Sequence, residues 1–577
     1  MMTRWGQTLA ENDVLQEYPR PQFRRASYLN LNGHWRYAMT PTDEPPTAWD
    51  GEILVPFSPE CALSGVNRCL QPGQTLWYQR ALALPDDFAD GRVLLHFGAV
   101  DQDAVVFLNG REVARHEGGY NAFTAELPDA LMPGENMLTV RVRDDTDASW
   151  RTRGKQKQKR GGIWYTPQSG IWQTVWAERV PKQYMRGLRL TPRLNENAIE
   201  ICVIAEDHSP CEAVVEGKTY PLTANQPTLV PIAAPRLWSP EDPFLYSLTV
   251  RMGEDEAESY FAMRSTAIVA DAKGVRRLYL NGKPYFHNGL LDQGYWPDGL
   301  YTAPSDEALL YDIQTAKALG FNMLRKHIKV EPMRWYYHCD RLGMLVWQDM
   351  PNGGGAYRFS TITLPLITGR HHSDRDYARF AREAAEGRDA YRRELDEMVA
   401  QLYNCPCIVL WVPFNEGWGQ FDAADAVRRL NLADGTRPAD PASGWHDQRC
   451  GDLRTWHVYF KKYRFHRDRL GRAVALSEFG GYNLRIAGHS WNDVDFGYKK
   501  LKSGQELQAA YETLYDTQVL PAIHKGLCAT VYTQLTDVED ELNGLITYDR
   551  EVLKLPPDAL RALNRAIAQA GEANPRG

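Results

Sequence analysis

From about residue 275 onward the chain repeats one unit, an apolar strand followed by an amphipathic helix, and this repetition restricts its fold more than any other feature. Strands read at FNMLRKH, MLVWQDM, CIVLWVPFNE, AVALSEFGG and LCATVYTQLTD. The helices between them carry their own punctuation. PSDEALLYDIQTAKALG opens on Ser305 as N-cap, sets Asp306 and Glu307 in the first turn, and stops at Leu319-Gly320. Alternating βα units over this length predict a C-terminal (β/α)8 TIM barrel, placed at 269–577.

The first 265 residues or so follow a different rule. RVLLHFGAV and ENMLTVRVRD alternate apolar and polar positions with the period of half-buried strands. DAVVFLNGREVARH sets Asn109-Gly110 between two such runs, and LYLNGKPYFHNG does the same with Asn281-Gly282; both are hairpin signals. Many short strands without long helices predict two β-sandwiches, the larger over 1–180 and an immunoglobulin-like one over 181–268. The basic stretch RTRGKQKQKRGG at 151–162 has no periodicity and reads as a solvated loop.

The totals exclude several functions. A net charge of −7 on 577 residues gives no electrostatic grip on nucleic acid or an anionic membrane. No segment approaches the roughly 20 apolar residues of a membrane span, and MMTRWGQTLAENDVLQEYPRP lacks the apolar core of a signal peptide. Nine scattered cysteines point to reduced thiols and a cytoplasmic setting, with Cys405-Pro406-Cys407 a packing feature rather than a zinc site.

In a parallel barrel the strand C-termini share one face, and polar residues there read as functional. CIVLWVPF runs straight into Asn415, Glu416, Gly417 and Trp418. A carboxylate at the mouth of a core strand is costly to desolvate unless it has partners or work. Glu478 in AVALSEFGG, Asp349 in MLVWQDM and Asp292 in FHNGLLDQG occupy similar places. The alternative role for these acids is pairing with Arg325, His327, Arg454 or His457 to seal the barrel.

NEGWGQFD after an apolar strand, with SEFGG some sixty residues later, resembles glycoside hydrolase family 2, the β-galactosidase and β-glucuronidase group. YLNLNGHWRY, QSGIWQTVWAE and NGKPYFHNG look like the same family's domain landmarks. The resemblance implies an N-terminal β jelly-roll sandwich that binds sugar, then an immunoglobulin-like β-sandwich, then the TIM barrel. It implies a retaining glycosidase with Glu416 as general acid/base, Glu478 as nucleophile and Asn415 on the sugar 2-hydroxyl. Asp292, Arg325, His327, Asp349, Trp418, His446, His457, Tyr532 and Gln534 are further candidate substrate contacts at strand ends. No cofactor is required. Some relatives bind Mg²⁺ near the acid/base, and Asp349 with Glu416 are the candidate ligands here. The expected partner is a small carbohydrate, with a homo-oligomer left open.

Two departures bear on the sugar. The loop RGGIWYTPQSGIW lacks the acid that relatives often place there, and DELNGLITYDR has no lysine of the Asn-x-Lys motif that binds a uronate. The missing lysine disfavours a glucuronide, and a neutral β-glycoside, β-galactoside first, is the default of the family, with arabinoside, galactofuranoside, mannoside and glucuronide as the alternatives. Rival readings are a carbohydrate-binding homologue without turnover, and a metal-dependent barrel hydrolase. The latter's His-x-His pair is missing from YFHNGLLDQG.

Overall fold

The computed structural model describes residues 1–88, 91–127, 131–132 and 134–572; the last residues of the expected barrel span, 573–577, lie outside it. Seven parallel strands form the barrel wall: His287–Asp292, Met323–Lys326, Leu345–Asp349, Ile408–Val412, Leu453–Val458, Ala473–Gly480 and Leu527–Thr533. The first pairs with both the second and the last, so the sheet curls on itself. Between Ile408–Val412 and Leu453–Val458 the gap is filled by the segment 438–443. On one side, Trp411 N–H donates to the Pro438 carbonyl at 3.1 Å and Ser443 N–H donates to that of Phe414 at 2.8 Å. On the other, Asp452 N–H donates to the Ala439 carbonyl at 3.0 Å, and the Thr455 hydroxyl donates to Asp440 Oδ1 at 3.0 Å. Eight staves therefore close the barrel. The fifth is irregular because Pro438 and Pro441 cannot donate to a ladder.

The helices follow their sequence signals. Ser305 caps Asp306–Ala318 by accepting from the Ala308 N–H at 3.2 Å, and Ala385–Leu402 and Ala423–Ala433 bring their apolar faces to the barrel exterior. A three-stranded sheet, Thr266–Ala270, Arg276–Leu280 and Lys283–Pro284, lies against the Ala473–Gly480 and Leu527–Thr533 strands.

Ahead of the barrel stand the two sandwiches. The first packs a four-stranded sheet on a six-stranded one over a core of Leu76, Tyr78, Leu95, Phe97, Val106 and Val140. Asn109 and Gly110 turn its hairpin with φ of 53° and 79°, the left-handed pair that the Asn-Gly signal promised. The second packs three strands on four around Ile199, Ile201, Val230 and Val250.

One side chain bolts the sandwiches together. Arg25 donates to Glu178 at 2.9 Å and, through two nitrogens, to Asp255 at 2.8 and 2.9 Å, all three groups being buried. Removing one member of a buried ionic group strands the others' charge. Arg25→Met is therefore expected to destabilise the fold by about 3–5 kcal/mol, read as a lowered urea midpoint. An unchanged midpoint would show that Arg20, 3.3 Å from Glu178, already suffices.

Candidate active site

Glu416 is reached through an unusual backbone. It sits at φ 50°, followed by Gly417 at φ 75°, so the chain turns sharply as it leaves the Ile408–Val412 strand. Left-handed non-glycine residues are uncommon and persist where their surroundings hold them; here the Glu416 N–H donates to the Ser443 carbonyl at 2.9 Å. The side chain turns into the barrel mouth, where Glu478 arrives from the Ala473–Gly480 strand. One oxygen of each carboxylate and Nδ1 or Nε2 of His457 lie within 4.8 Å of one another.

The two acids live in different surroundings. Glu478 accepts from Arg325 at 3.1 Å and from the Tyr459 hydroxyl at 2.5 Å. Burial raises its pKa, and Arg325 and the Tyr459 hydrogen bond oppose that rise. Among the described residues Glu416 has no lysine or arginine at salt-bridge distance; its Oε1 faces His457 Nδ1 at 2.7 Å. Burial, opposed by the more distant Lys155 and Arg325, pushes the Glu416 carboxyl up to about 8. The cation and the hydroxyl donor at Glu478 favour its ionised form, whereas burial favours the protonated form of Glu416.

Arg325 is the hub of the floor. Besides Glu478 it donates to Asp349 at 3.0 Å and to Asn415 Oδ1 at 2.8 Å. That leaves Asn415 Nδ2 as a buried donor with no partner among the described residues, next to the carboxylate pair. Asp349 also faces His327 Nδ1 at 2.8 Å, so both of its oxygens are engaged. The Asp349–Glu416 pair expected for Mg²⁺ is thus not free to ligate. Glu416, His457 and Glu478 lie close enough to share an ion, but Arg325 and Lys155 already supply positive charge to this hollow. The donor set does not suit an oxygen-seeking divalent cation.

The remaining expected contacts divide. Trp418 meets His327 with ring centroids 6.0 Å apart, and His327 in turn faces the Asp349 that Arg325 holds. Asp292 is drawn into a separate buried network, accepting from Lys326 at 2.7 Å and from Gly294 N–H at 2.9 Å. His446 anchors a loop instead: its Nε2 lies 2.8 Å from the Thr361 carbonyl and its Nδ1 accepts from His372 N–H at 3.1 Å. Tyr532 is packed among Phe479, Tyr482 and Tyr511. Gln534 accepts from Gln293 at 2.7 Å.

The basic stretch 151–162 departs from its expected solvated state. Thr152, Arg153, Gly154, Lys155 and Gln156 are buried against the barrel mouth. Thr152 donates to Glu394 at 3.0 Å, Arg153 to the carbonyls of Gly354 and Gly355, and Arg160 to Asp540 at 3.0 Å. The side chains are consumed by carbonyls and acids of the barrel loops, which a count of charges cannot reveal. Lys155 enters the hollow beside Trp418, 5.7 Å from that ring, with Glu541 at 3.9 Å and the Tyr165 hydroxyl at 3.5 Å. Trp164 meets Trp418 with ring centroids 5.2 Å apart, Tyr459 stacks on Tyr498 at 3.7 Å and Tyr165 donates to Glu541; none of the residues Trp164, Tyr165, Tyr459, Tyr498 and Glu541 was singled out by the sequence. Tyr459, two residues beyond His457, is the one among them that strand position could have flagged.

Two β-sandwiches in series before a (β/α)8 barrel with a buried glutamate pair at its mouth form the architecture of the multidomain glycoside hydrolases. Family models agree: the sugar-binding domain of glycosyl hydrolases family 2 matches residues 66–181, a further glycosyl hydrolases family 2 model matches 191–264, and the family 2 TIM barrel domain matches 273–470. The chain belongs to glycosyl hydrolase family 2. Among curated relatives, a putative beta-glucuronidase of Formosa agariphila is 24% identical over 72% of this chain and 49% of its own length. A beta-galactosidase of Thermoanaerobacter pseudethanolicus is 22% identical over 62% of this chain and 46% of its own. The chain thus spans about half the length of these relatives. Among solved structures, the beta-D-glucuronidase of Dictyoglomus thermophilum superposes with a TM-score of 0.73 at 16% identity, over 95% of this chain and 98% of that one. A beta-galacturonidase of Eisenbergiella tayi does so at 0.69 and 17%, over 96% and 99%.

No helix among the described residues is long and apolar enough to cross a membrane, and all nine cysteines are unpaired.

Proposed function

We propose that the protein is a retaining exo-β-glycosidase acting on a neutral sugar, β-galactoside first, with Glu416 as general acid/base and Glu478 as nucleophile. The observation that carries this is the pair itself: carboxylate oxygens within 4.8 Å, one acid held by Arg325 and Tyr459, the other with no lysine or arginine at salt-bridge distance among the described residues. Retaining enzymes place their carboxyl groups roughly 5–5.5 Å apart, whereas inverting ones leave room for a water.

Each step follows from these surroundings. Glu478, the ionised member, attacks the anomeric carbon as Glu416 gives its proton to the departing oxygen. Esterification of Glu478 removes the anion beside Glu416, which then takes a proton from water as that water attacks the same carbon. Asn415 Nδ2, a donor without a partner among the described residues, is available to a sugar hydroxyl throughout. The neutral sugar is supported by charge: Arg325 is matched by Asp349 and Glu478, and the nearest acid to Lys155 is Glu541.

Lys155 favours a second reading. Its ammonium is buried, yet its nearest partners stand at 3.5 and 3.9 Å. A uronate carboxylate seated on it would make a β-uronide the substrate.

A panel of aryl β-glycosides of galactose, glucose, mannose, arabinose, xylose, glucuronate and galacturonate tests both. Fastest turnover of a neutral member supports the first reading, and of a uronide the second; no turnover of any supports a sugar-binding homologue. On the best substrate, kcat/KM should fall above about pH 8, where Glu416 loses its proton. It should also fall on the acid side as Glu478 protonates, at a pH above the ordinary carboxylate value because burial raises that group. A basic limb near pH 5 would contradict the assignment of Glu416.

A further inference from the structure

His457, one of the candidate substrate contacts, touches both glutamates, and the hydrogen bonds behind it have a direction. Its Nδ1 lies 2.7 Å from Glu416 Oε1 and 3.5 Å from Glu478 Oε2, and its Nε2 lies 3.1 Å from the Ser443 hydroxyl. Ser443 donates its single hydroxyl proton to Ser477 Oγ at 2.9 Å, and Ser477 Oγ in turn donates to the Trp456 carbonyl at 3.5 Å. With its proton committed, Ser443 can only accept from His457. The proton of a neutral imidazole must then sit on Nε2, leaving a lone pair on Nδ1. That lone pair points at Glu416 Oε1 across a hydrogen-bonding distance, which is attractive only when Glu416 carries the proton.

The ring cannot easily escape this arrangement. A Cβ on Gly444 would stand 2.8 Å from His457 Nδ1, so the absent side chain makes the space the imidazole fills. Trp445 packs edge-on at 5.6 Å. Ser443 is pinned through its backbone to the strand end that bears Glu416, donating to Phe414 and accepting from Glu416 itself. Burial holds the imidazole neutral, its pKa brought down to about 4.

We propose that Ser477 and Ser443 fix His457 as its Nε2–H tautomer, and that His457 thereby acts as a positioning residue that keeps the catalytic proton on Glu416. This rests on the assignment of Glu416 as the acid. In the first step the proton passes from Glu416 Oε1 to the leaving oxygen as the glycosidic bond breaks and the Glu478 ester forms; His457 keeps its own proton. The new Glu416 carboxylate then faces the Nδ1 lone pair. That unfavourable contact makes it a stronger base toward the incoming water.

Ser477→Ala tests the relay. It frees the Ser443 hydroxyl to donate to Nε2, which permits the Nδ1–H tautomer and favours ionised Glu416. The charged and titratable groups around the pair and its serines, namely Lys155, Arg325, His327, Asp349, Asp440 beside the Ser443 hydroxyl, Tyr459, Glu478, Tyr498 and Glu541, are all left in place. The basic limb of kcat/KM for a poor leaving group is expected to move down by about one pH unit, a loss of roughly fivefold at pH 8 that approaches tenfold at higher pH. A 2,4-dinitrophenyl glycoside, which needs no acid to depart, should lose far less. Solid-state ¹⁵N NMR of histidine-labelled protein, with the resonance assigned by its loss in His457→Asn, should show Nε2 protonated in the parent and Nδ1 in Ser477→Ala. An unmoved basic limb, or an Nδ1–H tautomer already present in the parent, overturns the proposal while leaving the glycosidase reading intact. Parent protein that turns over no glycoside overturns that reading instead, and the NMR result still decides the tautomer. Should Ser477→Ala not fold, Ser443→Ala removes the acceptor for Nε2 and must also shift the limb downward.

Discussion

Glu478→Gly is expected to lower hydrolysis on the order of 10⁶-fold, the scale on which enzymes lose activity when a nucleophile is deleted, and added azide is expected to restore turnover. The site explains both halves. Removing the carboxylate leaves a void bordered by the Arg325 guanidinium, 3.1 Å from where the oxygen stood. Arg325 keeps Asp349 and Asn415 as partners, so the barrel mouth does not lose its hub. A small anion fits that void and finds a cation waiting. Attacking from the nucleophile's side without a second displacement, it gives a glycosyl azide of inverted configuration. The product's anomeric configuration, read by NMR, is the check. Absence of rescue, or an azide of retained configuration, would remove Glu478 from the nucleophile's role.

The parts of this molecule that were legible in the sequence are those set by local physics. Asn-Gly fixed its hairpins because two successive left-handed residues are what a tight turn needs, and Ser305 announced a helix because its hydroxyl has an orphan N–H to cap. The barrel's grammar was visible wherever strands were apolar throughout. It vanished at 438–443, where two prolines suppress the strand pattern and closure depends on hydrogen bonds contributed by neighbours. The site divides the same way. Glu416 and Glu478 stand at strand ends, so position alone brought them under suspicion. Lys155 lies some 260 residues from Glu416 in a different domain, and its burial is created by docking a sandwich loop on the barrel; no local pattern encodes that. His446, Tyr532 and Asp292 also stand near strand ends. Their side chains are claimed by loops, rings and a lysine that only the assembled barrel supplies.

Glu416→Ala separates the two half-reactions, and its expected signature depends on the leaving group. General acid catalysis contributes typically 10²–10⁴-fold, so an alkyl or sugar aglycone should lose about that much. A 2,4-dinitrophenol leaves as a stable anion and asks for no proton, so its departure should be nearly unaffected. Hydrolysis of the resulting ester still needs a base to activate water, and with Glu416 gone that second step becomes rate-limiting. A burst of dinitrophenol equal to the enzyme concentration, followed by slow release that azide accelerates, is the expected trace. Equal losses for both classes of aglycone would mean that residue 416 does not hand over a proton. The rise of its carboxyl to about 8 would then be a consequence of burial with no catalytic use.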